Sequence, residues 1–224
     1  MPEVSVTVVR NILEAQEKIA KANRDLFEKH GVFVVNIMSS PGAGKTSLLE
    51  RTIEALKGSY RIAVIEGDIQ SQEDALRIKR LGVDAVQINT GGACHLDANM
   101  IQSALERISL DACDLLIIEN VGNLVCPAEF ELGEHEKAMI LSVTEGDDKP
   151  LKYPLMFQKS SVLLINKIDL LPYVDCDVER IRKTVKELNP RIEIFEISCK
   201  TGEGIDRWIN WLSTKMKKWG NDEG

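Results

Sequence analysis

The segment Ser-Ser-Pro-Gly-Ala-Gly-Lys-Thr at residues 39–46 constrains the fold more than any other part of the chain. It lies between an apolar run, residues 32–38, and a helix-like segment that begins at Ser47. A strand, a glycine-rich turn and a helix in this order are typical of a phosphate-binding loop, because the turn and the helix N-terminus aim backbone N–H groups at phosphate oxygens. The usual pattern GxxxxGK(S/T) has glycine where this chain has Ser39, so an ordinary turn before a helix is the alternative interpretation.

The end of this loop carries the side chains expected to act on phosphates. Lys45 is expected to reach the β- and γ-phosphates and to take part in catalysis, while the Thr46 hydroxyl would ligate Mg²⁺. The nucleotide contacts expected from the loop and the first helical turn are Gly42, Ala43, Gly44, Lys45, Thr46 and Ser47.

Composition limits the class of protein. At 224 residues, 44% of them hydrophobic, the chain suffices for one domain or for one domain with a helical arm. A net charge of −7 argues against a general nucleic-acid binder. Because no apolar run is long enough to span a bilayer and no signal peptide is recognisable, we expect a cytoplasmic protein with no membrane partner. The five cysteines are an odd number, which disfavours a disulfide scaffold.

Strand-like and helix-like segments alternate along the chain. Residues 5–30 have the apolar spacing of an amphipathic helix, which would either pack across the domain or offer a surface to a partner. We therefore divide the chain into an N-terminal helix, residues 1–30, and a domain, residues 31–224. Strands are predicted at residues 32–38, 61–66, 84–89, 115–118, 138–143, 161–165 and 192–197, and a closing helix at residues 205–219. The pattern predicts an α/β fold, a P-loop NTPase with a doubly wound, mainly parallel sheet flanked by helices and an N-terminal helical arm.

Acidic residues follow two of these strands. Asp68 could bind Mg²⁺ through water and Asp74 could position a hydrolytic water, since ligands of open α/β sheets bind at the carboxyl ends of the strands. The alternative is that residues 71–74 only cap the helix that follows. Glu119 ends the unbroken apolar run of residues 115–118 and is the expected second group that orients Mg²⁺. Gly122, three residues later, could sense a γ-phosphate through its N–H.

A further segment predicts selection of the base. Residues 166–169 read Asn-Lys-Ile-Asp, and the Asp169 carboxylate can accept both N1–H and N2–H of guanine, a pairing that adenine does not offer. The contacts expected around a guanine ring are Asn166, Lys167, Asp169, Ser198, Cys199 and Lys200. Because this segment comes third, after the phosphate loop and the strand that ends in Glu119, the order indicates a guanine-nucleotide-binding NTPase.

A second constellation consists of soft metal ligands. Cys94 and His95 are adjacent, and Cys126 follows in another loop that comes after a strand, so all three are expected at the same edge of the sheet as the nucleotide. Two thiolates and an imidazole suit Zn²⁺ or Ni²⁺, with water or a second subunit supplying a fourth ligand. The alternative is two unrelated cysteines and a solvated histidine. His135 is a weaker candidate of the same kind.

Together the motifs SSPGAGKT, GGACHLDA, ENVGNLVCP, SVTEGDDKPLKYP and NKIDLLPY resemble those of HypB, the family of GTPases that help to insert nickel into [NiFe] hydrogenases. The likeness runs from about residue 30 to residue 205. It implies a GTPase that dimerises around its nucleotide, with a metal site at Cys94, His95 and Cys126 near the dimer interface. It also implies a HypA-type nickel chaperone and the hydrogenase large-subunit precursor as partners, and a coupling between GTP and metal binding.

One departure from this family concerns metal storage. Many members carry an N-terminal cysteine motif or a histidine-rich stretch, but residues 1–30 contain no cysteine and only His30. High-affinity N-terminal binding is therefore not expected. We expect slow hydrolysis, since no arginine finger in cis is recognisable. Two other functions remain open: a GTPase of translation or targeting with incidental cysteines, and a small-molecule kinase, which the Asn-Lys-x-Asp segment disfavours.

Overall fold

A computed structural model describes residues 3–68 and 77–222 of the chain, with side chains from residue 14 to 67 and from 77 to 220. Within these ranges, seven parallel strands form one sheet in the order β3-β2-β4-β1-β5-β6-β7. The strands are β1 Phe33–Ser39, β2 Ile62–Asp68, β3 Asp84–Asn89, β4 Leu115–Glu119, β5 Glu136–Ser142, β6 Val162–Asn166 and β7 Glu193–Glu196. All seven predicted strands are present, and β1, β4 and β6 are buried along their whole length, which explains why their mostly apolar sequences do not alternate with polar residues.

Helices cover both faces of the sheet. They are α1 Glu3–Lys29, α2 Lys45–Leu56, α3 Ala98–Leu105, α4 Lys149–Lys152, α5 Pro154–Lys159, α6 Val178–Leu188 and α7 Ile205–Asp222. Helix α6 was not predicted, and α7 continues three residues beyond its predicted end at residue 219. Of the helix expected to follow residues 71–74, the structure describes a helical stretch at residues 77–79. The predicted α/β fold is confirmed.

The alternation of side chains along β1 divides the core into two layers. Val35 and Ile37 face α2 and α7, where Trp208 is fully buried and donates a hydrogen bond from its indole N–H to Thr52 Oγ1 (2.8 Å). Val34 faces the opposite layer, which α1 and α3 cover. The central strands are thus held between helices on both sides, as expected for a doubly wound sheet.

The described part of α1 packs on the domain. Phe27 is fully buried against the layer that contains Val34 and Ile101, and Gly31 follows the helix with φ 65°, a backbone conformation that favours glycine. This packing agrees with the first of the two roles considered for the helix, while the domain boundary at residue 30 stays a prediction. None of the helices in the described part of the chain combines the length and the apolar character needed to span a bilayer.

Candidate functional site

The phosphate loop joins β1 to α2 in the middle of the sheet. Gly44 has φ 107°, and a Cβ at this position would lie 2.4 Å from Asn166 Nδ2, so both the backbone conformation and the space require glycine. Ser39, which stands where the common pattern has glycine, is fully buried and donates from Oγ to the Ser40 carbonyl oxygen (2.6 Å). The Ser39 hydroxyl also accepts a hydrogen bond from Lys45 Nζ (3.0 Å). The serine therefore orients the lysine rather than disrupting the loop.

Thr46 and Glu119 meet beside this loop. Thr46 Oγ1 donates a hydrogen bond to Glu119 Oε1 (3.1 Å), and the glutamate, at the end of β4, is 7% exposed. A hydroxyl and a carboxylate oxygen are hard donors of the kind that Mg²⁺ prefers, so the two residues fit this ion. Asp68 ends β2 on the neighbouring strand, but its side chain lies outside the described residues, and so does all of Asp74.

The segment that follows β4 touches the phosphate loop. A Cβ at Gly122 would lie 2.9 Å from the Pro41 nitrogen and 3.0 Å from its Cα. Because both atoms belong to the backbone, a side chain at Gly122 would push the phosphate loop away. Gly122 thus lies at the loop, as its predicted role in sensing phosphate requires.

Loops after β6 and β7 form the predicted base-binding region. A cavity of about 310 Å³ is lined by Gly44, Ser47, Asn166, Lys167, Asp169, Leu170, Cys199 and Lys200. Asn166 donates from Nδ2 to the Ala43 carbonyl oxygen (2.9 Å) and accepts at Oδ1 from the Cys199 N–H (3.2 Å), so it joins the phosphate loop to the β7 loop. Asp169 Oδ1 accepts a hydrogen bond from Ser198 Oγ (2.6 Å), which fixes the carboxylate at the cavity.

Two features of this region were not predicted. Arg51, on α2, donates from Nε to the Cys199 carbonyl oxygen (3.0 Å) and from Nη2 to that of Lys200 (3.2 Å), and it therefore holds the β7 loop over the cavity. Lys167 has φ 65°, which a non-glycine residue rarely adopts, and its Nζ donates to the Gly42 carbonyl oxygen (2.7 Å). The sequence showed no signal for either feature, because the partners are backbone carbonyl groups.

Cys94, His95 and Cys126 come together at the same edge of the sheet. One ligand atom from each of the three lies within 4.8 Å of the other two. The Cys94 and Cys126 sulfur atoms are 3.0 Å apart, and Cys94 Sγ is 3.5 Å from His95 Nδ1. The His95 ring stacks on Phe130 with 4.0 Å between ring centroids, and burial lowers the pKa of His95, which favours the neutral imidazole that metals bind. The three side chains can hold one soft or borderline ion.

The metal-ligand cluster is connected to the end of β4 by asparagine side chains. Asn120, next to Glu119, accepts at Oδ1 a hydrogen bond from the Leu96 N–H (3.0 Å), one residue after His95. Asn123 donates from Nδ2 to the Cys94 carbonyl oxygen (3.2 Å). The segment that begins at Glu119 and ends at Cys126 therefore contacts the phosphate loop, the Cys94 loop and the ligand cluster.

The other histidines and cysteines have structural surroundings. His135 accepts at Nδ1 a hydrogen bond from the Val34 N–H (2.9 Å) and its ring packs between Phe33 and Trp219, so it is a half-buried structural residue. Burial raises the pKa of both Cys113 and Cys199 to about 11, so both stay protonated thiols at neutral pH. Within the described ranges, the only group of three or more candidate metal ligands is that of Cys94, His95 and Cys126.

A phosphate loop, a buried carboxylate behind its threonine and an Asn-Lys-x-Asp segment at one edge of a parallel sheet define a P-loop nucleotide-binding protein of the GTPase class. The sequence profile of the CobW/HypB/UreG nucleotide-binding domain matches residues 33–196. The chain is 53% identical over 205 residues to hydrogenase maturation factor HypB of Escherichia coli K12, covering 92% of this chain and 71% of that protein. It is 42% identical over 211 residues to the probable HypB of Methanocaldococcus jannaschii, covering 94% and 96%. The chain therefore belongs to the HypB-type hydrogenase maturation factors of the CobW/HypB/UreG family.

Solved structures of relatives agree with this assignment. HypB of Archaeoglobus fulgidus superposes with a TM-score of 0.86 at 43% identity, covering 91% of this chain and all of that one. HypB of Helicobacter pylori in complex with nickel gives a TM-score of 0.87 at 39% identity, covering 91% and 96%. A structure of FtsY from Mycoplasma mycoides, at 18% identity and a TM-score of 0.55, shows the same fold only. The predicted fold and family are thus confirmed.

Proposed function

We propose that this protein is a GTP-hydrolysing metallochaperone that carries Ni²⁺ for the maturation of [NiFe] hydrogenase, and that its nucleotide state sets its affinity for the metal. Its family and the nickel complex of a relative support the coarse role. We further propose that the protein acts in the cytoplasm as a homodimer. Its proposed partners are a HypA-type nickel chaperone and the hydrogenase large-subunit precursor. Zn²⁺ is a second ion that the same ligands would accept.

The observation that carries the coupling is the shared segment from Glu119 to Cys126. At its start, Glu119 accepts a hydrogen bond from Thr46, and Gly122 lies against Pro41 of the phosphate loop. At its end it supplies Cys126, and Asn123 bonds to the backbone of Cys94. A change in this segment on exchange of GTP for GDP would therefore alter the distance between the two sulfur ligands.

Each nucleotide-binding residue has a role in the proposal. Backbone N–H groups of the phosphate loop and Lys45 bind phosphate oxygens, and Thr46, Asp68 and Glu119 hold Mg²⁺, whose charge offsets that of the phosphates. Asp74 positions the attacking water. The hydrogen bonds from Lys45 to Ser39 and from Thr46 to Glu119 support the roles of Lys45, Thr46 and Glu119. The position of Asp68 at the end of β2 and that of Asp74 after this strand support theirs.

Guanine selectivity follows from the side chains beside the cavity. Asp169, held by Ser198, would accept two hydrogen bonds from guanine, while Asn166 ties the cavity to the phosphate loop. The metal ligands in turn suit delivery rather than storage. Three protein ligands leave one position of a tetrahedron for water or for a second subunit, so the ion can leave without unfolding of the site.

The test is a calorimetric titration of Ni²⁺ and of Zn²⁺ into protein bound to GDP or to a non-hydrolysable GTP analogue. We expect affinities that differ by about 5- to 150-fold, which corresponds to a coupling of roughly 1–3 kcal/mol, and the metal must change GTP affinity by the same factor. Cys94→Ala and Cys126→Ala should abolish tight binding. Cys176→Ala is the matched control, because this half-buried cysteine lies outside the ligand cluster.

Two outcomes would contradict the proposal. Equal metal affinity in both nucleotide states would remove the coupling. Unchanged metal binding in Cys94→Ala and Cys126→Ala would favour the GTPase of translation or targeting in which these cysteines are incidental. Competition between GTP and ATP tests the small-molecule kinase, since a preference for ATP would favour it.

A further inference from the structure

Helix α1 is hydrogen-bonded to both segments that carry the metal ligands. Asn23, 1% exposed, donates from Nδ2 to the Ala98 carbonyl oxygen (2.8 Å) and to the Leu132 carbonyl oxygen (3.1 Å). Ala98 follows His95 by three residues, and Leu132 follows Cys126 by six. Because both partners are carbonyl groups, the orientation of the amide is unambiguous. One side chain therefore joins the first residue of α3, just after Cys94 and His95, to the stretch of chain that follows Cys126.

The residue next to Asn23 extends this contact. Arg24 donates from Nε to the Gly133 carbonyl oxygen (2.7 Å). Gly133 has φ 100°, and a Cβ there would lie 2.8 Å from both the Ala20 carbonyl oxygen and Asn23 Cβ. The segment after Cys126 thus approaches α1 at backbone distance, which only glycine permits.

A buried polar network fixes the same segment from the side of the sheet. Glu134, 3% exposed, accepts at Oε2 from the Leu132 N–H (2.7 Å) and at Oε1 from Asn36 Nδ2 (2.9 Å). Asn36 in turn accepts at Oδ1 from Asn120 Nδ2 (3.3 Å), and Asn120 holds the Leu96 N–H. The network and α1 therefore both hold the two ligand-bearing segments through hydrogen bonds.

Burial of the Asn23 amide has a cost in free energy. Its Oδ1 atom is buried and has no hydrogen-bond partner among the described residues. A buried unpaired oxygen is unfavourable, so an apolar residue would serve if the position needed only to fill space. The position therefore needs the two N–H groups of the amide, which donate to the carbonyl oxygens of Ala98 and Leu132.

We propose that Asn23 is a positioning residue for the metal site, which sets the distance of Cys94 and His95 from Cys126, so that the seating of α1 tunes metal affinity. This inference rests on the proposed function of the ligand cluster. Residues that orient metal ligands typically change metal affinity by 10- to 100-fold when they are lost. Through Asn23, α1 acts on both ligand-bearing segments together.

The test compares Asn23→Ala with a matched control, Asn189→Ala. Asn189 also uses Nδ2 to hold backbone carbonyl groups, those of Phe157, Gln158 and Ser160, but it lies near the edge strand β7. Ni²⁺ affinity is measured by competition with a chromophoric chelator, and Co²⁺ absorption reports the ligand geometry. For Asn23→Ala we expect Ni²⁺ binding about 10-fold weaker and a changed Co²⁺ spectrum, with unchanged affinity for GDP without metal. Asn189→Ala should keep the wild-type metal affinity and spectrum.

The outcomes separate this inference from the proposed function. If wild-type protein binds Ni²⁺ through Cys94 and Cys126 while Asn23→Ala has the same affinity and spectrum, only the role of Asn23 is wrong. An equal loss in Asn189→Ala would also overturn it, since the effect would then be general destabilisation. If Asn23→Ala does not fold, Arg24→Met carries the test through the bond to Gly133, with the same expected direction. Failure of the wild type to bind metal at the cysteines would overturn the proposed function itself.

Discussion

At the scale of single residues, Asp169 is expected to decide which base the protein accepts. Asp169→Asn replaces an acceptor with an amide that places N–H donors opposite guanine N1–H and N2–H. We expect GDP affinity to fall by more than about 100-fold, because two hydrogen bonds to a charged group are lost and each contributes about 1.5–3 kcal/mol. Xanthosine diphosphate has a carbonyl group at C2, which can accept a hydrogen bond from the new amide. We therefore expect the variant to bind this nucleotide more tightly than the wild-type protein does. Competition against a fluorescent GDP analogue measures both, and unchanged GDP affinity would show that the carboxylate does not face the base.

His135 is expected to make stability depend on pH. Burial, together with the nearby charge of Arg24, lowers the pKa of His135 to about 3 from an ordinary value near 6.5. Between these values the unfolded chain binds a proton that the folded chain does not, so the stability that His135 contributes is complete above about pH 6.5 and is lost as the pH falls towards 3. The slope stays below about 1.4 kcal/mol per pH unit, since part of the ring is exposed.

The measurement is urea unfolding at pH 7 and at pH 5. His135→Phe removes the titrating group while keeping an aromatic ring beside Phe33 and Trp219. The variant loses the acceptor for the Val34 N–H and should be less stable at pH 7, but the difference between the two pH values should shrink. An identical difference in wild type and variant would mean that another group causes the acid sensitivity.

At the scale of elements, the junction of β1, the phosphate loop and α2 depends on Gly44. Gly44→Ala should weaken GDP binding by more than 10-fold, because the left-handed backbone at this position costs roughly 1–2 kcal/mol with a side chain and the Cβ would strike Asn166. Gly58→Ala is the matched control, since a Cβ there meets no atom within 4 Å and the φ of Gly58 is not positive. Equal nucleotide affinity in the two variants would contradict the expectation.

Strands with long apolar runs were predicted well, whereas one helix with few buried residues was not. Strands β1, β4 and β6 are buried on both faces, so their sequences are mostly apolar and do not alternate with polar residues. Helix α6, which was not predicted, buries only Ile181 and Val185 among many charged residues. Asp177, which accepts from the Arg180 N–H (3.0 Å) as the N-cap, was the signal that could have revealed the helix.

In the candidate site, too, some features could be predicted from the sequence and others could not. The meeting of Cys94, His95 and Cys126 could be predicted, because loops after parallel strands gather at one edge of the sheet. The bonds of Asn23 and Arg51 could not, since backbone carbonyl groups leave no mark in a sequence. Glu145 is a further example, because its contact with Ser40 of the phosphate loop joins residues 105 positions apart. Only the folded chain shows such long-range contacts.

At the scale of the whole molecule, the strand order separates two tasks. Strand β1 lies between β4 and β5, so the phosphate loop leaves the sheet at its centre. On one side, β6 and β7 carry the loops around the base cavity. On the other, β4 and β3 lead into the segments with the metal ligands. The phosphates are thus expected between the base and the metal.

The central position of β1 also determines how a bound nucleotide would stabilise the sheet. A guanine nucleotide bound as proposed would contact both the loop after β6 and the carboxylate that ends β4. It would therefore link the two halves of the sheet, which lie on opposite sides of β1. When the nucleotide dissociates, β1 and β5 would be held together only by their backbone hydrogen bonds and by side-chain packing. Release of the product would then loosen the scaffold on which the metal rests.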